Sequence, residues 1–398
     1  MKKILLLGGS AQQVVAIETS KKMGYYTVLC DFLPNNPGQH VADKFYLKST
    51  TDKEAVLDIA ITEQVDGVLA YASDPAAPTA AYVSEKMGLY TNTYESVETL
   101  CNKDRFRAFL SENGFNAPQA CGYASVADSK KDISKYRLPI IIKPVDSSGS
   151  KGATVLHTLD NLDNALEFAF TFSRSNRIII EEFVEKKHPY LIGGDIFVQN
   201  GKVILWGLMN CHRDGNVNPL VPVGKSYPLE LDKEDIEQVK KTLQAMVDKL
   251  QIKSGAINVE LIVDKNNRVW PIDVGPRNGG NMIPDLLGLI FDVDIVEMSI
   301  KAAMGSKIDA DIHVGKPFYA THNLHSARSG EFRTIQFSEE IEPYILRKCI
   351  YIKAGDKVEF FDNASKALGI IFFKFEYKEQ MQKYLPDINN YIKIVYEI

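Results

Sequence analysis

Short apolar runs alternate with amphipathic stretches over residues 1 to about 95. The apolar runs predict strands at 4–7, 27–29 and 67–70. The amphipathic stretches predict helices at 14–22 and 54–63, and Gly24 is placed for a helix C-terminal cap. This order is typical of a parallel sheet wound by right-handed crossovers. The chain is therefore predicted to begin with an open parallel α/β sheet domain.

The pattern changes after Pro118, where strand pairs become frequent and the fold class becomes α+β. Predicted hairpins join 138–144 to 153–159, turn at 200–201 and occupy 255–274. A further strand is predicted at 177–184, and helices at 104–112, 161–172 and 232–250. The C-terminal part is strand-rich, with predicted strands at 350–361 and 368–377.

Composition narrows the classes of function. The 398 residues carry 46 Lys and Arg against 51 Asp and Glu, a net charge of −5, which disfavours a nucleic-acid partner. No apolar stretch approaches the roughly 20 residues that span a bilayer. The apolar run in MKKILLLGGS stops at Gly8, which favours a buried strand over a signal peptide. Five cysteines without CxxC spacing predict reduced thiols and a cytoplasmic protein.

The segment GAINVELIVDKNNRVWPIDV predicts two strands joined by a two-residue turn at Asn266-Asn267. Counting back from that turn places Glu260 opposite Asp273, with both carboxylates on one face. The opposite face is predicted to be apolar and buried, and its residues are Ile257, Val259, Leu261, Val263, Trp270, Ile272 and Val274. Two adjacent carboxylates suit Mg²⁺. The alternatives are separate pairs with Lys or Arg, or a register that slips by one residue.

Glycine-rich and charged positions supply weaker signals. The loop DSSGSKG at 146–152 is suited to cover a phosphate chain, or is a plain mobile hairpin tip. Lys143 ends a buried apolar strand, so that it needs an anionic partner or reaches the surface. One carboxylate of Glu181-Glu182 must point inward. The Gly8-Gly9-Ser10 turn lacks GxGxxG spacing and favours a ligand-lined turn over a dinucleotide site.

Taken in order, these motifs resemble the ATP-grasp superfamily, which includes biotin carboxylase, carbamoyl phosphate synthetase and D-alanine:D-alanine ligase. The resemblance covers roughly residues 1 to 310 and rests on the ordered segments NKDRF, IIIKPVDSSGSKG, IIIEEFV, NVE and PIDVGPRNGGN. It implies four regions: a Rossmann-like domain at 1–100, a lid subdomain at 101–190 with its phosphate loop at 146–152, a catalytic subdomain at 191–315 and a β-rich accessory region at 316–398.

The resemblance implies that Lys103 and Lys143 contact the phosphates of ATP and that the loop closes over them. The loop residues concerned are Ser148, Gly149, Ser150, Lys151 and Gly152.

The segment IIIEEFV at 178–184 corresponds to the hinge of that superfamily, and its Glu181 would accept a hydrogen bond from the adenine amino group. Glu182 and the backbone around Phe183 and Val184 would line the ring edge. The acid that binds ribose in many relatives is not evident in this chain, and the residues that could replace it are His188 and Asp195.

By the same resemblance, Glu260 and Asp273 hold Mg²⁺, with Mn²⁺ as an alternative ion, and Arg277 faces the transferred phosphate and the substrate carboxylate. The alternative for Arg277 is an ion pair with Asp273. Many relatives carry Glu-x-Asn-Pro-Arg where this chain reads Asp273-Val274-Gly275-Pro276-Arg277. One metal carboxylate is therefore shorter, and Gly275 stands in place of an Asn ligand.

The expected function is an ATP-dependent, ADP-forming ligase that joins a carboxylic acid to an amine through an acyl phosphate. Lys143, Arg277, Glu260 and Asp273 are the expected catalytic residues. Two alternatives are a carboxylase-like or phosphoribosylamine-type ligase and a nucleotide-binding protein without catalysis. The loops at 8–13 and 71–78 are expected to line the substrate crevice, and the segment 211–228 to cover the acid. Homodimerisation is implied by the resemblance alone.

Overall fold

The computed structural model describes residues 1–147, 149–313 and 315–397. Its N-terminal part is the predicted parallel sheet, with strand order β3-β2-β1-β4. The strands are β1 (Lys3–Leu7), β2 (Tyr26–Asp31), β3 (Lys44–Leu47) and β4 (Gly67–Leu69). The helices are α1 (Val14–Lys22), α2 (Lys53–Glu63), α3 (Ala77–Lys86) and α4 (Tyr94–Cys101), and a 3-10 turn lies at Pro37–His40. Gly24 follows α1 with a φ of +83°, as expected of a helix end.

A second, four-stranded sheet with order β5-β8-β6-β7 follows. Its strands are β5 (Ala120–Tyr123), β6 (Ile140–Pro144), β7 (Thr154–Leu156) and β8 (Ile178–Glu182). The associated helices are α5 (Lys103–Glu112), α6 (Val126–Asp132) and α7 (Leu162–Thr171), with a 3-10 turn at Ile133–Lys135. The predicted β6–β7 hairpin is confirmed. It places the loop 146–152 at one end of this sheet.

The largest sheet has eight strands in the order β13-β12-β9-β10-β11-β14-β18-β16. Its strands are β9 (Leu191–Gln199), β10 (Lys202–Arg213), β11 (Pro222–Tyr227), β12 (Ser254–Val263), β13 (Val269–Gly275), β14 (Tyr319–Leu324), β16 (Ile345–Ile350) and β18 (Gly369–Lys374). The associated helices are α8 (Lys233–Lys249), α9 (Ile283–Phe291) and α10 (Ile295–Ala303). Antiparallel pairing of β11 with β14 makes this sheet continuous across residue 315.

The remaining elements form a small three-stranded sheet, β17-β15-β19, and its helices. They are β15 (Gly330–Phe337), β17 (Lys357–Val358), α11 (Lys378–Tyr384), α12 (Ile388–Tyr391) and β19 (Ile392–Tyr396), with 3-10 turns at Glu342–Tyr344 and Ala364–Lys366. The predicted strand at 350–361 is largely wrong, because the chain turns at Gly355, whose φ is +86°. No described helix combines the length and the apolar character needed to cross a bilayer.

The core beneath β9 and β10 should depend on Phe197. Its ring is 1% exposed and packs in a cluster with residues of α9, β10, β14 and β18. Phe197→Ala should therefore lower the free energy of unfolding by about 3–5 kcal/mol, measured by urea denaturation. Phe32, which is 62% exposed, provides the control Phe32→Ala. Equal losses in both variants would contradict the burial assigned to Phe197.

Candidate active site

A cavity of about 660 Å³ lies between the sheet β5-β8-β6-β7 and the eight-stranded sheet. We call it the main cavity. The sequence-predicted residues that line it are Lys103, Lys143, Gly149, Ser150, Lys151, Glu181, Glu182, Phe183, Val184, Glu260 and Asp273. Gly152, Asp195 and Arg277 are not among its lining residues, and Ser148 lies outside the described residues. Most of the predicted positions therefore share one space, although they come from four separate stretches of sequence.

The loop at 146–152 is held at both of its sides. Lys103 Nζ donates to the Ser147 carbonyl (2.7 Å) at its start. Across the cavity mouth, Ser150 Oγ donates to the Leu220 carbonyl (2.9 Å). Gly152 has a φ of +73°, a conformation that favours glycine at this turn. The described residues of the loop thus lie beside the main cavity, and Lys151, the one cation of the loop, is among the residues that line it.

Lys143 belongs to a buried group of three charges with Arg107 and Glu181. The Glu181 carboxylate lies 2.9 Å from Lys143 Nζ and 3.1 Å from Arg107 Nε, and all three residues are at least 92% buried. Burial raises the pKa of Glu181, but attraction by Arg107 and Lys143 outweighs burial and the net pKa is lowered. Burial also lowers the pKa of Lys143. The sequence predicted that Lys143 would need an anion, and Glu181 is that anion.

This arrangement alters the role expected of the hinge. Because the Glu181 carboxylate is engaged by two cations, it is poorly placed to accept a hydrogen bond from an adenine amino group. Glu182 pairs with Arg137 at 3.0 Å. Phe183 N donates to the Pro139 carbonyl (2.9 Å). Val184 also lines the main cavity.

The two residues considered for ribose lie elsewhere. Asp195 is 1% exposed and accepts hydrogen bonds from Asn258 Nδ2 and Gly279 N, both at 2.8 Å. His188 is buried, and its Nε2 accepts from Val263 N at 3.1 Å. This geometry does not favour a ribose contact by either residue. Glu185, which the sequence analysis did not select, lines the main cavity directly after the hinge.

The predicted pairing of Glu260 with Asp273 is confirmed. The turn of this hairpin differs from the predicted one. Val263 pairs with Val269, so the connection spans 264–268 rather than two residues. Asp264 stabilises this wider turn, since its Oδ1 accepts from the backbone N–H groups of residues 266 and 268. A β-bulge between residues 260 and 261 then restores the register.

The wider turn and the bulge together change which side chains face the core. Ile272 lines the main cavity instead of the apolar face, and Trp270 Nε1 donates to Asp264 Oδ2 (3.0 Å). Val269 takes a core position that the sequence analysis did not assign. The predictions for Trp270 and Ile272 were therefore wrong, whereas Val274 packs in the core as expected.

The two carboxylates fit a divalent cation chemically. Glu260 Oε1 accepts from Arg213 Nη2 at 3.1 Å. Asp273 accepts no side-chain hydrogen bond from the described residues. Burial raises the pKa of Asp273, but the nearby Lys103 and Lys143 outweigh it and lower the pKa, which keeps the group ionised. Two carboxylates beside a cavity that lysines also line are a donor set that Mg²⁺ accepts together with substrate oxygens.

Arg277 contacts neither the main cavity nor Asp273. Its Nε and Nη2 reach the two oxygens of Asp74 at 2.6 and 2.5 Å, and its Nη1 donates to the Asn278 carbonyl (3.0 Å). Burial lowers the pKa of Arg277, but Asp74 more than compensates and raises it. This bidentate pair connects the loop at 71–78 of the N-terminal sheet to the strand that carries Asp273.

Two cations contact Cys211, whose Sγ lies 3.9 Å from Glu260 Oε1. Arg213 Nη1 and Lys225 Nζ approach Cys211 Sγ at 2.6 and 2.8 Å, and Lys225 is 6% exposed. Within the described residues, Lys225 has no carboxylate partner. A buried ammonium without an anion is costly, so this position is suited to an anionic ligand. The sequence analysis named Lys225 only as part of a covering segment.

Arg107 and Asp74 were missed in the sequence for different reasons. Arg107 follows Phe106 in an otherwise apolar stripe of α5, and an unbroken stripe would have been the expected pattern. A charge inside that stripe is a usable signal for a buried ion pair. Asp74 gives no such signal, because its partner lies 203 residues away.

Comparison with known proteins identifies the sequence signature of the ATP-grasp domain at residues 136–285. The chain is 23% identical over 323 residues to the C-terminal section of the carbamoyl phosphate synthase large chain of Aquifex aeolicus, covering 77% of this chain and 59% of that protein. Against the same large chain of Clostridium beijerinckii it covers 30% of the length. The chain thus spans less than two thirds of these curated relatives.

Solved structures share the fold along the whole chain. An L-amino acid ligase from Bacillus licheniformis superposes with a TM-score of 0.82 at 19% identity, covering 100% of this chain and 99% of that one. A phosphoribosylglycinamide synthetase from Anaerococcus prevotii gives 0.75 at 20% identity, with complete coverage of both. At these identities the likeness concerns the fold.

Removing the charge of Glu181 should destabilise the fold, because Arg107 and Lys143 would stay buried without their anionic partner. Glu181→Gln should lower the free energy of unfolding at pH 7 by about 3–5 kcal/mol, measured by urea denaturation. The folded pKa of Glu181 lies below its ordinary value of 4.5. Wild type should therefore hold this contribution above pH 4.5 and lose it as the pH falls toward the folded pKa. In Glu181→Gln the free energy of unfolding should lack this pH-dependent contribution.

The exposed Glu339 supplies the control, since Glu339→Gln removes a charge that faces solvent. It should change stability by less than about 0.5 kcal/mol. If Glu181→Gln changed the free energy of unfolding as little as the control does, the buried group of three charges would not stabilise the fold.

Proposed function

This chain belongs to the ATP-grasp superfamily, and on that premise we propose that it is an ATP-dependent, ADP-forming ligase that joins a carboxylic acid to an amine. One observation carries the proposal: a single cavity has lysines on one wall and the Glu260–Asp273 pair on the other. Cations suit phosphates and paired carboxylates suit a divalent ion, so the cavity is complementary to a metal–nucleotide complex.

In this proposal the nucleotide extends from the hinge to the carboxylates. The backbone of Val184 meets the adenine edge, and Glu185 is the carboxylate closest in sequence for the ribose hydroxyls. Lys103, Lys143 and Lys151 contact the phosphates beneath the loop. The ion pair with Glu181 fixes the position of Lys143 before the nucleotide binds.

Mg²⁺ would be held by Glu260 and Asp273 and would neutralise charge on the phosphates. The chain's own residues then orient the reacting groups. Arg213, which lines the main cavity and pairs with Glu260, and the buried Lys225 on the other side of Cys211 are our candidates for holding the substrate carboxylate. The carboxylate oxygen attacks the γ-phosphorus, ADP leaves, and an acyl phosphate forms.

The amine then attacks the acyl carbon and phosphate leaves. Arg277 is our candidate for the group that faces the developing oxyanion. It lies outside the main cavity while it pairs with Asp74, so this role requires its guanidinium group to leave Asp74 and turn toward the acyl carbon. The loop that bonds to Leu220 would exclude water from the acyl phosphate. Positioning and electrostatics suffice for this reaction, and no side-chain nucleophile is needed.

The names of the similar proteins support this class, because an L-amino acid ligase and a phosphoribosylglycinamide synthetase are among them. The division into regions at 1–100, 101–190, 191–315 and 316–398 remains our proposal, as does a homodimer. The five free cysteines are consistent with the proposed cytoplasmic location.

Neutralising either metal-site carboxylate should stop the reaction. Glu260→Gln and Asp273→Asn should each lower ADP formation by about two orders of magnitude or more, because each removes a ligand of the divalent ion that would neutralise the charge on the phosphates. ADP release from Mg-ATP is measured against an array of carboxylic acids with and without amines. Circular dichroism checks that the variants fold.

Glu339→Gln, at an exposed glutamate, is the matched control and should keep wild-type turnover. Undiminished ADP release in both site variants would rule out the metal assignment. ATP binding without ADP formation by wild type, for every acid and amine, would favour the non-catalytic alternative.

Lys225 should affect the binding of the substrate acid rather than the binding of the nucleotide. Lys225→Met keeps the volume and removes the charge, so KM for the acid should rise by about tenfold or more while the dissociation constant for ATP, measured by calorimetry, stays unchanged. Lys225→Arg should restore part of the loss. An equal weakening of ATP binding would place Lys225 at the phosphates instead.

A further inference from the structure

A smaller pocket of about 170 Å³ adjoins the main cavity. We call it the side pocket. Asp74 and Gly275 line it, so the loop at 71–78, which was expected to line a substrate crevice, reaches the end of β13. The two spaces share three lining residues, which are Lys103, Ser147 and Asp273. The ion pair of Asp74 with Arg277 therefore lies next to the main cavity, although Arg277 does not line that cavity.

Gly275 makes room for Asp74. A Cβ atom added at Gly275 would lie 2.5 Å from Asp74 Oδ1, well inside van der Waals contact. The carboxylate thus occupies space that a larger residue at 275 would fill. Gly275 is also the position at which this chain departs from the Asn of many relatives. The departure and the ion pair are therefore linked, because a side chain at 275 would displace Asp74.

The backbone of Arg277 is fixed on both sides, whereas its side chain can turn. Asn258 N donates to the Arg277 carbonyl (3.1 Å). Two residues later, Gly279 N donates to the buried Asp195 carboxylate (2.8 Å). Rotation about the side-chain bonds of Arg277 would move its guanidinium group between staggered positions while the backbone stays in place. Arg277 is thus suited to exchange one anionic partner for another.

Two groups of anions compete for this guanidinium group. Burial lowers the pKa of Arg277, and Asp74 raises it most strongly, followed by Asp195 and Asp273. Asp273 attracts the guanidinium group from the side of the main cavity. Phosphates bound in that cavity would add negative charge on the same side. A ligand shifts a two-state equilibrium through its different interactions with the two states, and phosphates attract Arg277 but repel Asp74.

We infer that Asp74 is a positioning residue that competes with the reacting groups for Arg277 and so limits the time that the guanidinium group spends at the acyl carbon. This inference rests on the proposed function, in which Arg277 faces the developing oxyanion.

The consequence is a slower loss of the acyl phosphate to water. In that side reaction the water oxygen bonds to the acyl carbon, the bond from this carbon to the phosphate oxygen breaks, and the acid and inorganic phosphate are released. The oxyanion that develops is the same as in attack by an amine. An Arg277 that stayed at the acyl carbon would therefore also accelerate attack by water.

The first test displaces Asp74 without changing any charge. ADP release from Mg-ATP is measured with the array of carboxylic acids in the absence of amine. Gly275→Ala should raise this release by about fivefold, because a larger fraction of Arg277 then faces the main cavity. Gly280→Ala is the matched control, since a Cβ atom added there meets Gln12 Oε1 at 3.8 Å, an ordinary contact. It should keep the wild-type rate.

The second test removes the charge and keeps the volume. Asp74→Asn should raise ADP release without amine as Gly275→Ala does, whereas the control Asp58→Asn, at an exposed aspartate, should not. Combined with Arg277→Ala, Asp74→Asn should have no effect on the rate, because Asp74 acts through Arg277. No rise in either variant, or a rise that persists without Arg277, would overturn the inference.

A third measurement needs no turnover. Hydrogen exchange of the loop at 71–78, followed by mass spectrometry without nucleotide, should be faster in Gly275→Ala and Asp74→Asn than in wild type and in both controls. Unchanged exchange in both variants would show that Arg277 does not hold this loop, and would overturn the inference. Absence of ADP from wild type with every acid and amine would refute the proposed function and the inference with it. ADP formation by wild type without a rise in either variant would refute the inference alone.

Discussion

The ion pairs of Glu181 with Arg107 and Lys143 constrain the rest of the site. Two cations buried without this carboxylate would be strongly unfavourable, so the three side chains must fold together. Arg107 also donates to the Ile272 carbonyl (2.6 Å), next to Asp273. The group therefore ties α5, β6, β8 and β13 together. Lys143 is thereby fixed relative to Glu260 and Asp273, which line the same cavity.

The pairing of Glu260 with Asp273 could be predicted from sequence because alternation of apolar and polar residues fixes which positions share a face. The turn could not be predicted equally well. Asp264 accepts two backbone N–H groups and so favours a five-residue connection over the Asn266-Asn267 turn. The bulge compensates for that difference. The pairing was predicted correctly, but Trp270 and Ile272 were placed on the wrong face.

Contacts between distant segments lay beyond sequence reasoning. Asp74 and Arg277 are 203 residues apart, and nothing near either residue indicates the other. Lys225 and Cys211 are neighbours only because β10 and β11 pair in one particular register. By contrast, Lys103, Lys143 and the hinge acids stand in motifs whose order resembles the ATP-grasp superfamily, and that resemblance implied a shared nucleotide site. The motif residues could therefore be identified from the sequence, whereas their long-range contacts depend on how whole sheets pack.

The continuity of the eight-stranded sheet bears on how this chain can be shortened. β11 is covered on its outer side by β14, which begins after residue 315. A fragment that stopped at 315 would present the backbone donors and acceptors of β11 to solvent, and unprotected strand edges recruit other chains. Such a fragment would tend to aggregate rather than behave as a smaller independent unit. The strand pairing that begins after residue 315 thus protects the edge of β11 from other chains, apart from any contribution to substrate binding.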